Sequence, residues 1–233
     1  MLDLCTGTGC IPILLSHLRQ QAGGITIAYG VDISTDAVSL ARENAADQSL
    51  TPSSGLERGF SRGEAGTEVG ETGNHGRGRA DQIATSVADG GRGSALEVMR
   101  ADILQEDFMQ VILSRMEPPF DVITSNPPYI PLDEYERLPD SVKEWEDRRA
   151  LLGDLPAHES GHGLDGRGLA FYHRIAQIVS TDGVLASNGI VALEVGHTQA
   201  GQVREMLVET GRVSATEVWR DPWGVPRVVV GYR

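Results

Sequence analysis

The chain has 233 residues, with 20 Lys and Arg against 33 Asp and Glu and a formal net charge of −13. So acidic a chain repels phosphate backbones, which disfavours a sequence-independent binder of DNA or RNA. No stretch reaches the roughly 18 consecutive apolar residues of a membrane helix, so we expect no association with membranes. Its two cysteines, Cys5 and Cys10, exclude a disulfide framework and a four-ligand zinc site, and we predict no metal.

The beginning of the chain is abrupt. Met1 leads directly into an apolar strand and a glycine turn, without a signal peptide or a basic leader. A strand that starts at the initiator is poorly anchored. We therefore expect a chain truncated at its N-terminus, whose targeting signal would be missing as well.

Apolar periodicity predicts alternating strands and helices. The first half contains a strand over 2–5, a helix over 10–21 with Ile11, Leu14, Leu15 and Leu18 on its apolar face, a strand over 25–31 and a helix over 34–46. The second half contains strands over 96–100 and 120–125, a helix over 168–179, a strand over 190–195, a helix over 198–210, and two final strands over 213–219 and 227–232. This order predicts an α/β fold with a doubly wound, mostly parallel sheet of seven strands.

Residues 51–95 interrupt the pattern. They are rich in glycine and almost free of large apolar side chains, so they cannot bury enough surface to offset the entropy of ordering. We interpret them as a disordered low-complexity insertion that divides one domain into residues 1–50 and 96–233. The Gly-Arg repeats at 76–79 and 91–93 leave an RNA-binding arm as the alternative, but balancing acidic residues and a single aromatic residue, Phe60, disfavour it.

A second unusual stretch, residues 127–165, is rich in proline and acidic residues. Charge runs of this kind are usually a solvated surface, and we prefer that interpretation to a binding role.

The turn Asp3-Leu4-Cys5-Thr6-Gly7-Thr8-Gly9-Cys10 joins the first strand to the first helix. Glycines in such a turn allow a sharp bend and a close approach of a ligand to the backbone. The turn lacks the Lys-Ser/Thr of a phosphate-binding loop and the G-x-G-x-x-G spacing, so phosphate binding is the lesser interpretation.

Two acidic residues follow the next strands. Asp32 ends the second strand and can accept hydrogen bonds from both hydroxyl groups of a ribose, although a helix-capping role is the alternative. Asp102 ends the third strand and can serve the adenine side of the same pocket, or be an ordinary solvated carboxylate.

The most specific motif is Ser125-Asn126-Pro127-Pro128-Tyr129, at the carboxyl end of the fourth strand. Two prolines stiffen the chain and remove two backbone donors, so that carbonyl groups are left to accept. The Asn126 side chain and a proline carbonyl can accept both hydrogens of a planar NH₂ group, and Tyr129 offers a face for stacking. A loop stop is the structural alternative, but the motif favours N-methylation.

These segments resemble the motifs of class I S-adenosylmethionine-dependent methyltransferases with an Asn-Pro-Pro-Tyr signature. Within that superfamily the chain is most similar to the HemK/PrmC type, the protein-(glutamine-N5) methyltransferases of peptide chain release factors. The segments that select this type are Ile130-Pro131, Arg149-Ala150-Leu151, Gly163-Leu164-Asp165-Gly166, Phe171-Tyr172-His173-Arg174-Ile175, Leu193-Glu194-Val195-Gly196 with Gln199, and Asp221-Pro222-Trp223-Gly224 with Arg227. The resemblance covers nearly all of the chain outside 51–95 and implies a Rossmann-like catalytic domain.

The resemblance also implies the site residues. The cofactor S-adenosyl-L-methionine would contact Cys5, Thr6, Gly7, Thr8, Gly9, Asp32, Asp102, Ile103 and Asn126, and the catalytic group would be Asn126, Pro127, Pro128 and Tyr129. Two residues depart from the family pattern. Cys5 stands where bacterial members usually have glycine, and Ile103 stands where some have an aromatic residue.

The activity implied is methylation of the glutamine side chain in the Gly-Gly-Gln motif of a release factor, its protein partner, by a monomeric enzyme. An adenine-N6 or guanine-N2 nucleic-acid methyltransferase is the first alternative, which the net charge and the single lysine, Lys143, disfavour. An inactive truncated remnant or binding module is the second. The low-complexity insertion and Cys5 favour a eukaryotic organellar member, so we expect a mitochondrial location, with the cytoplasm as the alternative.

Overall fold

Strands and helices alternate through the first half of the chain. The computed structural model describes residues 1–50, 93–154 and 166–233. The elements here are β1 (Leu2–Leu4), α1 (Cys10–Gln21), β2 (Ile27–Asp32), α2 (Thr35–Asp47), β3 (Ala95–Arg100), α3 (Phe108–Arg115) and β4 (Phe120–Ser125). Most of the predicted insertion, with the Gly-Arg repeat at 76–79, lies outside the described residues, but Ala95 already pairs with Ile27 as the first residue of β3.

The second half contains three short helices before the alternation resumes. Its elements are α4 (Leu132–Glu136), α5 (Asp140–Trp145), α6 (Arg148–Leu151), α7 (Ala170–Ser180), β5 (Leu185–Glu194), α8 (Ala200–Glu209), β6 (Ala215–Arg220) and β7 (Pro226–Tyr232). The sequence pattern predicts neither α3 nor α4–α6. Helices α4–α6 have no buried residue, so these three helices lie at the surface, whereas Pro127, Pro128, Gly153 and Asp154 of the same stretch are buried.

The seven strands form one sheet in the order β3-β2-β1-β4-β5-β7-β6. The first five strands of that order are parallel, and β7 is antiparallel to both β5 and β6. The predicted seven-stranded, doubly wound sheet is therefore confirmed. The strand order reverses between β1 and β4, and the crevice beyond the carboxyl ends of such strands is where open α/β sheets bind ligands.

Two clusters of buried side chains cover the sheet. The larger one joins the strands to α3, α7 and α8 through residues such as Phe108, Ile175 and Leu207. The smaller one joins β2 and β3 to α2 through Val38, Ala41 and Ala45. Because both faces of the parallel strands carry helices, the carboxyl edge of the sheet is the place left for a site.

The predicted apolar face of α1 is wrong. Leu14 and Leu18 are 58% and 51% exposed, whereas Pro12 and Ser16 are the buried residues of this helix. The turn before the helix lies directly against α2, since a Cβ added at Gly9 would lie 3.1 Å from the Ala41 Cβ. The side of α1 that faces inward carries the small side chains of Pro12 and Ser16.

Two features are absent from residues 1–50, 93–154 and 166–233, which the structure describes. No helix within them is long and apolar enough to cross a bilayer. Nor does this part of the chain contain a group of His, Cys, Asp and Glu side chains that could hold a metal ion.

Candidate active site

The glycine-rich turn after β1 is built from left-handed backbone. Cys5, Gly7 and Gly9 have φ angles of 56°, 54° and 76°. A side chain disfavours this conformation, which explains why glycine suits position 5 and why Cys5 is an unusual residue there. A Cβ at Gly7 would meet no atom within 4 Å, so the turn presents open backbone at the sheet edge.

Asp32 is held by two backbone amides. The Gly7 N–H donates to Oδ2 and the Ser34 N–H donates to Oδ1, both at 2.9 Å. The cap of α2 is Ser34, whose hydroxyl accepts from the Ala37 N–H, so Asp32 is not the capping residue. Each carboxylate oxygen keeps a further lone pair, which fits an acceptor of ribose hydroxyl groups.

The loop after β3 joins the same edge. The Ala101 N–H donates to the Asp32 carbonyl at 3.0 Å, and the Asp102 carboxylate accepts from the Leu104 N–H and the Gln105 side chain. The Ile103 side chain is 3% exposed and belongs to the core. Arg174 of α7 fixes this loop, because its guanidinium donates to the carbonyls of Ile103 and Gln105, each at 2.6 Å.

A buried carboxylate connects the glycine-rich turn to β4. Asp3 is inaccessible to solvent and accepts hydrogen bonds from Thr6 Oγ1 at 2.5 Å and Thr124 Oγ1 at 2.6 Å. Burial raises the pKa of Asp3 to about 6; the nearby Asp32 charge adds to the rise, and the two threonine bonds oppose it. The Asp3 side chain thus links β1 to β4, the strands that precede the predicted cofactor segment and the predicted substrate segment.

Burial also decides the state of Cys5. Loss of water contact, with the Asp32 and Asp3 charges nearby, raises the pKa of the Cys5 thiol. The thiol therefore stays neutral at physiological pH and is not a nucleophile, since the thiolate is the reactive form.

Asn126 follows β4 with free hydrogen-bonding groups. Its side chain is exposed, and neither its amide nor the Pro127 carbonyl has a hydrogen-bond partner among the described residues. Pro127 and Pro128 are buried and carry no N–H. Two acceptors are therefore available, side by side in sequence, at the carboxyl edge of the sheet.

Tyr129 lies half-buried beside a surface cavity. Burial raises the pKa of its phenol, Glu194 adds to the rise, and Arg227 opposes it. The cavity has a volume of about 80 Å³ and is lined by Tyr129, Ile130, Pro131, Glu134, Gly196, His197, Thr198, Gln199 and Arg227. Tyr129 offers this cavity an aromatic face, whereas Asn126 is not among its lining residues.

The structure brings the predicted residues to one edge. Cys5–Gly9, Asp32, Asp102 and Asn126–Tyr129 follow β1, β2, β3 and β4, which are neighbours in the sheet. Their roles in binding stay predictions. Residues 163–165 of the family segments lie outside the described residues.

The contacts of three residues that shape this site cannot be predicted from the sequence. Gln199 and Arg174 belong to segments of the family resemblance, but nothing in the sequence shows that they bind the loops after β4 and β3. Asp154 carries no sequence signal, although its carboxylate, 6% exposed, accepts from the backbone of Leu132 and Gly168.

Comparison with known proteins begins with sequence. No protein-family model matches the chain. It is 28% identical to the release factor glutamine methyltransferase of Aquifex aeolicus over 231 residues, which cover 99% of this chain and 57% of that protein. The same-named protein of Caulobacter vibrioides is 28% identical over 233 residues, 100% of this chain and 57% of the relative. That of Clostridium acetobutylicum is 37% identical over 134 residues, 58% of this chain and 42% of the relative.

The resemblance to the release factor glutamine methyltransferases is confirmed. This chain spans about half the length of these curated relatives.

Solved structures share the fold. A methyltransferase from Pyrococcus furiosus superposes with a TM-score of 0.51 at 14% identity, covering 99% of this chain and 73% of that one. Human methyltransferase 10 domain containing protein gives 0.51 at 12% identity, covering 99% and 69%. The fold is that of the class I methyltransferases, as predicted.

Proposed function

We propose that this chain transfers a methyl group from S-adenosyl-L-methionine to the side-chain amide nitrogen N5 of a glutamine, in the Gly-Gly-Gln motif of a peptide chain release factor. The observation that carries the proposal is the pair of free acceptors at Asn126 and Pro127, one strand away from the glycine-rich turn. The names of the relatives supply the substrate class.

The described residues fit the cofactor. Open backbone at Gly7 and the Asp32 carboxylate form one side of the crevice, and the loop held by Arg174 forms the adenine side. S-adenosyl-L-methionine supplies an electrophilic methyl group on a sulfonium centre. Asp32 would accept from the ribose hydroxyl groups, and the backbone of Cys5–Gly9 would border the methionine part.

The substrate amide needs orientation more than activation by a base. Its nitrogen is a poor nucleophile because the lone pair is delocalised into the carbonyl group. The Asn126 oxygen and the Pro127 carbonyl would accept the two N–H hydrogens and turn the lone pair towards the methyl group. The new N–C bond forms as the C–S bond breaks, with the electron pair left on sulfur. The amide proton then passes to water, so positioning and electrostatics provide most of the catalysis.

A protein substrate agrees with the charge of the chain. A net charge of −13 with one lysine, Lys143, is a poor composition for holding a polynucleotide. The acceptors at Asn126 and Pro127 suit any planar NH₂ group and do not distinguish a glutamine from a nucleic-acid base. The negative net charge of the chain is what favours a glutamine.

The test is methyl transfer to a defined acceptor. The 233-residue chain is incubated with labelled S-adenosyl-L-methionine and either an intact release factor or transfer RNA, and the products are analysed by mass spectrometry. We expect the label on the glutamine of the Gly-Gly-Gln motif. Label on the RNA and none on the protein would reverse the assignment.

Asn126→Ala tests the site itself. Loss of one acceptor should abolish most of the transfer while binding of S-adenosyl-L-methionine, measured by calorimetry, largely survives. Asn188→Ala is the matched control, since Asn188 is an exposed asparagine on β5, away from the carboxyl edge of the sheet. Transfer by Asn126→Ala at the unmodified rate would refute the role of Asn126.

The mitochondrial location and the monomeric state stay part of the proposal. The location is inferred only from the low-complexity insertion and Cys5. Microscopy of the tagged chain and its mass in solution would test the two predictions.

A further inference from the structure

We infer that Gln199 is a positioning residue, which holds the loop Asn126–Tyr129 in the conformation that accepts the substrate amide. The inference rests on the proposed function. It starts from the hydrogen bond between Gln199, the N-cap residue of α8, and the loop after β4, which no sequence pattern shows.

Both the nitrogen and the oxygen of the Gln199 side-chain amide form hydrogen bonds. The side chain is 3% exposed, and Nε2 donates to the carbonyls of Tyr129 at 2.8 Å and Arg167 at 2.7 Å. Oε1 accepts from the Gly196 N–H at 3.0 Å. Two donors and one acceptor on a neutral group are what an amide provides and a carboxylate does not.

Three glycines allow this close assembly around Tyr129. A Cβ at Gly153 would lie 2.7 Å from the Tyr129 Cα, and one at Gly168 would collide with the Tyr129 carbonyl. A Cβ at Gly196 would lie 2.8 Å from Gln199 Oε1. The segments around Tyr129 therefore meet at distances that any larger residue would prevent.

The hydrogen bond from Gln199 to the Tyr129 carbonyl is the first one after Ser125 that holds the loop Asn126–Tyr129. Before this loop, the Ser125 hydroxyl donates to the Leu4 carbonyl at 2.7 Å. From Asn126 to Tyr129, the Tyr129 carbonyl carries the one hydrogen bond that the described residues show. Beyond it, the Ile130 N–H donates to Leu151 and the Leu132 N–H to Asp154, both at 2.9 Å. Loss of the Gln199 bond would thus remove the one hydrogen bond that the described residues show within the stretch that carries both acceptors.

Gln199→Glu is the sharpest variant. It keeps the size of the side chain but directs an anionic oxygen at two carbonyl oxygens. A displacement of the acceptors by about 1 Å would lower kcat for release-factor methylation by about 100-fold. Affinity for S-adenosyl-L-methionine should not change, because none of these bonds touches the glycine-rich turn or Asp32.

Gln202→Glu is the matched control. Gln202 lies one turn further along α8 and lines the neighbouring surface groove, and no hydrogen bond of its side chain occurs among the described residues. The same change of charge there should leave kcat unaltered. Gln199→Met, which removes the bonds without adding charge, should resemble Gln199→Glu.

Acid should partly rescue Gln199→Glu. Once protonated, the introduced carboxyl group can donate to one carbonyl and accept from Gly196, as the amide does. The titratable and charged groups around it are Tyr129, Glu134, Asp154, Arg167, Glu194, His197 and Arg227, which the control shares. The ratio of kcat between Gln199→Glu and Gln202→Glu should therefore rise as the pH falls, whereas Gln199→Met should show no such rescue.

Amide exchange separates this inference from the proposed function. In Gln199→Glu, the amides of Ile130 and Gly153 should exchange faster than in Gln202→Glu, with exchange in β1 and β2 unchanged. Wild-type kcat in Gln199→Glu, or a general loss of cofactor affinity and thermal stability without acid rescue, would overturn the inference. If the unmodified chain methylates no release factor, the proposed function fails, and unchanged exchange at Ile130 and Gly153 would still reject the role of Gln199.

Discussion

Cys5 combines a left-handed backbone with a partly buried side chain. Its φ of 56° costs a residue with a Cβ roughly 1–2 kcal/mol relative to glycine. Part of that cost is offset because the side chain packs against the larger core cluster. The residue therefore adds packing to the turn at the expense of backbone strain.

Two substitutions separate these effects. Cys5→Ala removes the sulfur and keeps the strain, whereas Cys5→Gly removes both. We expect Cys5→Gly to be more stable than Cys5→Ala by about 1 kcal/mol, in spite of the greater freedom of glycine in the unfolded chain. Urea unfolding of both variants measures the difference, and a more stable Cys5→Ala would show that the turn is not strained.

At the scale of single residues, sequence reasoning finds groups whose position at a strand end is enough to suggest a role. Asp32 and Asn126 are of this kind. Gln199 is not, because its partner Tyr129 is 70 residues away and the bond depends on how two loops meet. Side-chain chemistry is visible in a sequence, whereas the contacts between distant loops are not.

Helix α1 shows the same limit at the scale of elements. Its leucines have helical spacing, yet the helix turns Leu14 and Leu18 towards the surface of the described structure. Periodicity indicates that a helix has an apolar side, but it does not show which side the rest of the fold covers. The strand predicted over 190–195 begins too late, since β5 already contains Ser187, Asn188 and Gly189.

A pair of leucine truncations tests the orientation of α1. Leu18→Ala should lower the free energy of unfolding by less than about 1 kcal/mol, because the side chain is half exposed. Leu207→Ala on α8, where the leucine is 1% exposed, should cost about 2–5 kcal/mol. Equal costs in chemical denaturation would mean that Leu18 is buried in solution.

For the whole molecule, the dependence of stability on pH has an unusual contribution. A pKa of about 6 for the buried Asp3, against an ordinary value of 3.8, means that the folded state binds this proton more tightly than the unfolded state. Asp3 therefore stabilises the fold most at low pH, and the contribution is lost as the pH rises from about 4 through 6. The difference in pKa corresponds to about 3 kcal/mol.

Asp3→Asn should remove this dependence. The stability of the variant relative to the unmodified chain should rise between pH 4 and pH 7 by up to about 3 kcal/mol. Asp121→Asn, which removes an exposed carboxyl group from β4, is the control for the loss of a surface charge. Urea titrations across this range provide the measurement, and parallel curves for all three proteins would mean that Asp3 does not titrate as described.

The two buried prolines have a consequence for spectroscopy. Pro127 and Pro128 lack an amide proton, so proton-detected backbone spectra have a gap at the residues where a substrate would dock. Isotope labelling of the Pro127 carbonyl carbon fills that gap. Since this carbonyl is free among the described residues, its chemical shift would report the arrival of a donor N–H directly, even for a substrate that binds and leaves without reacting.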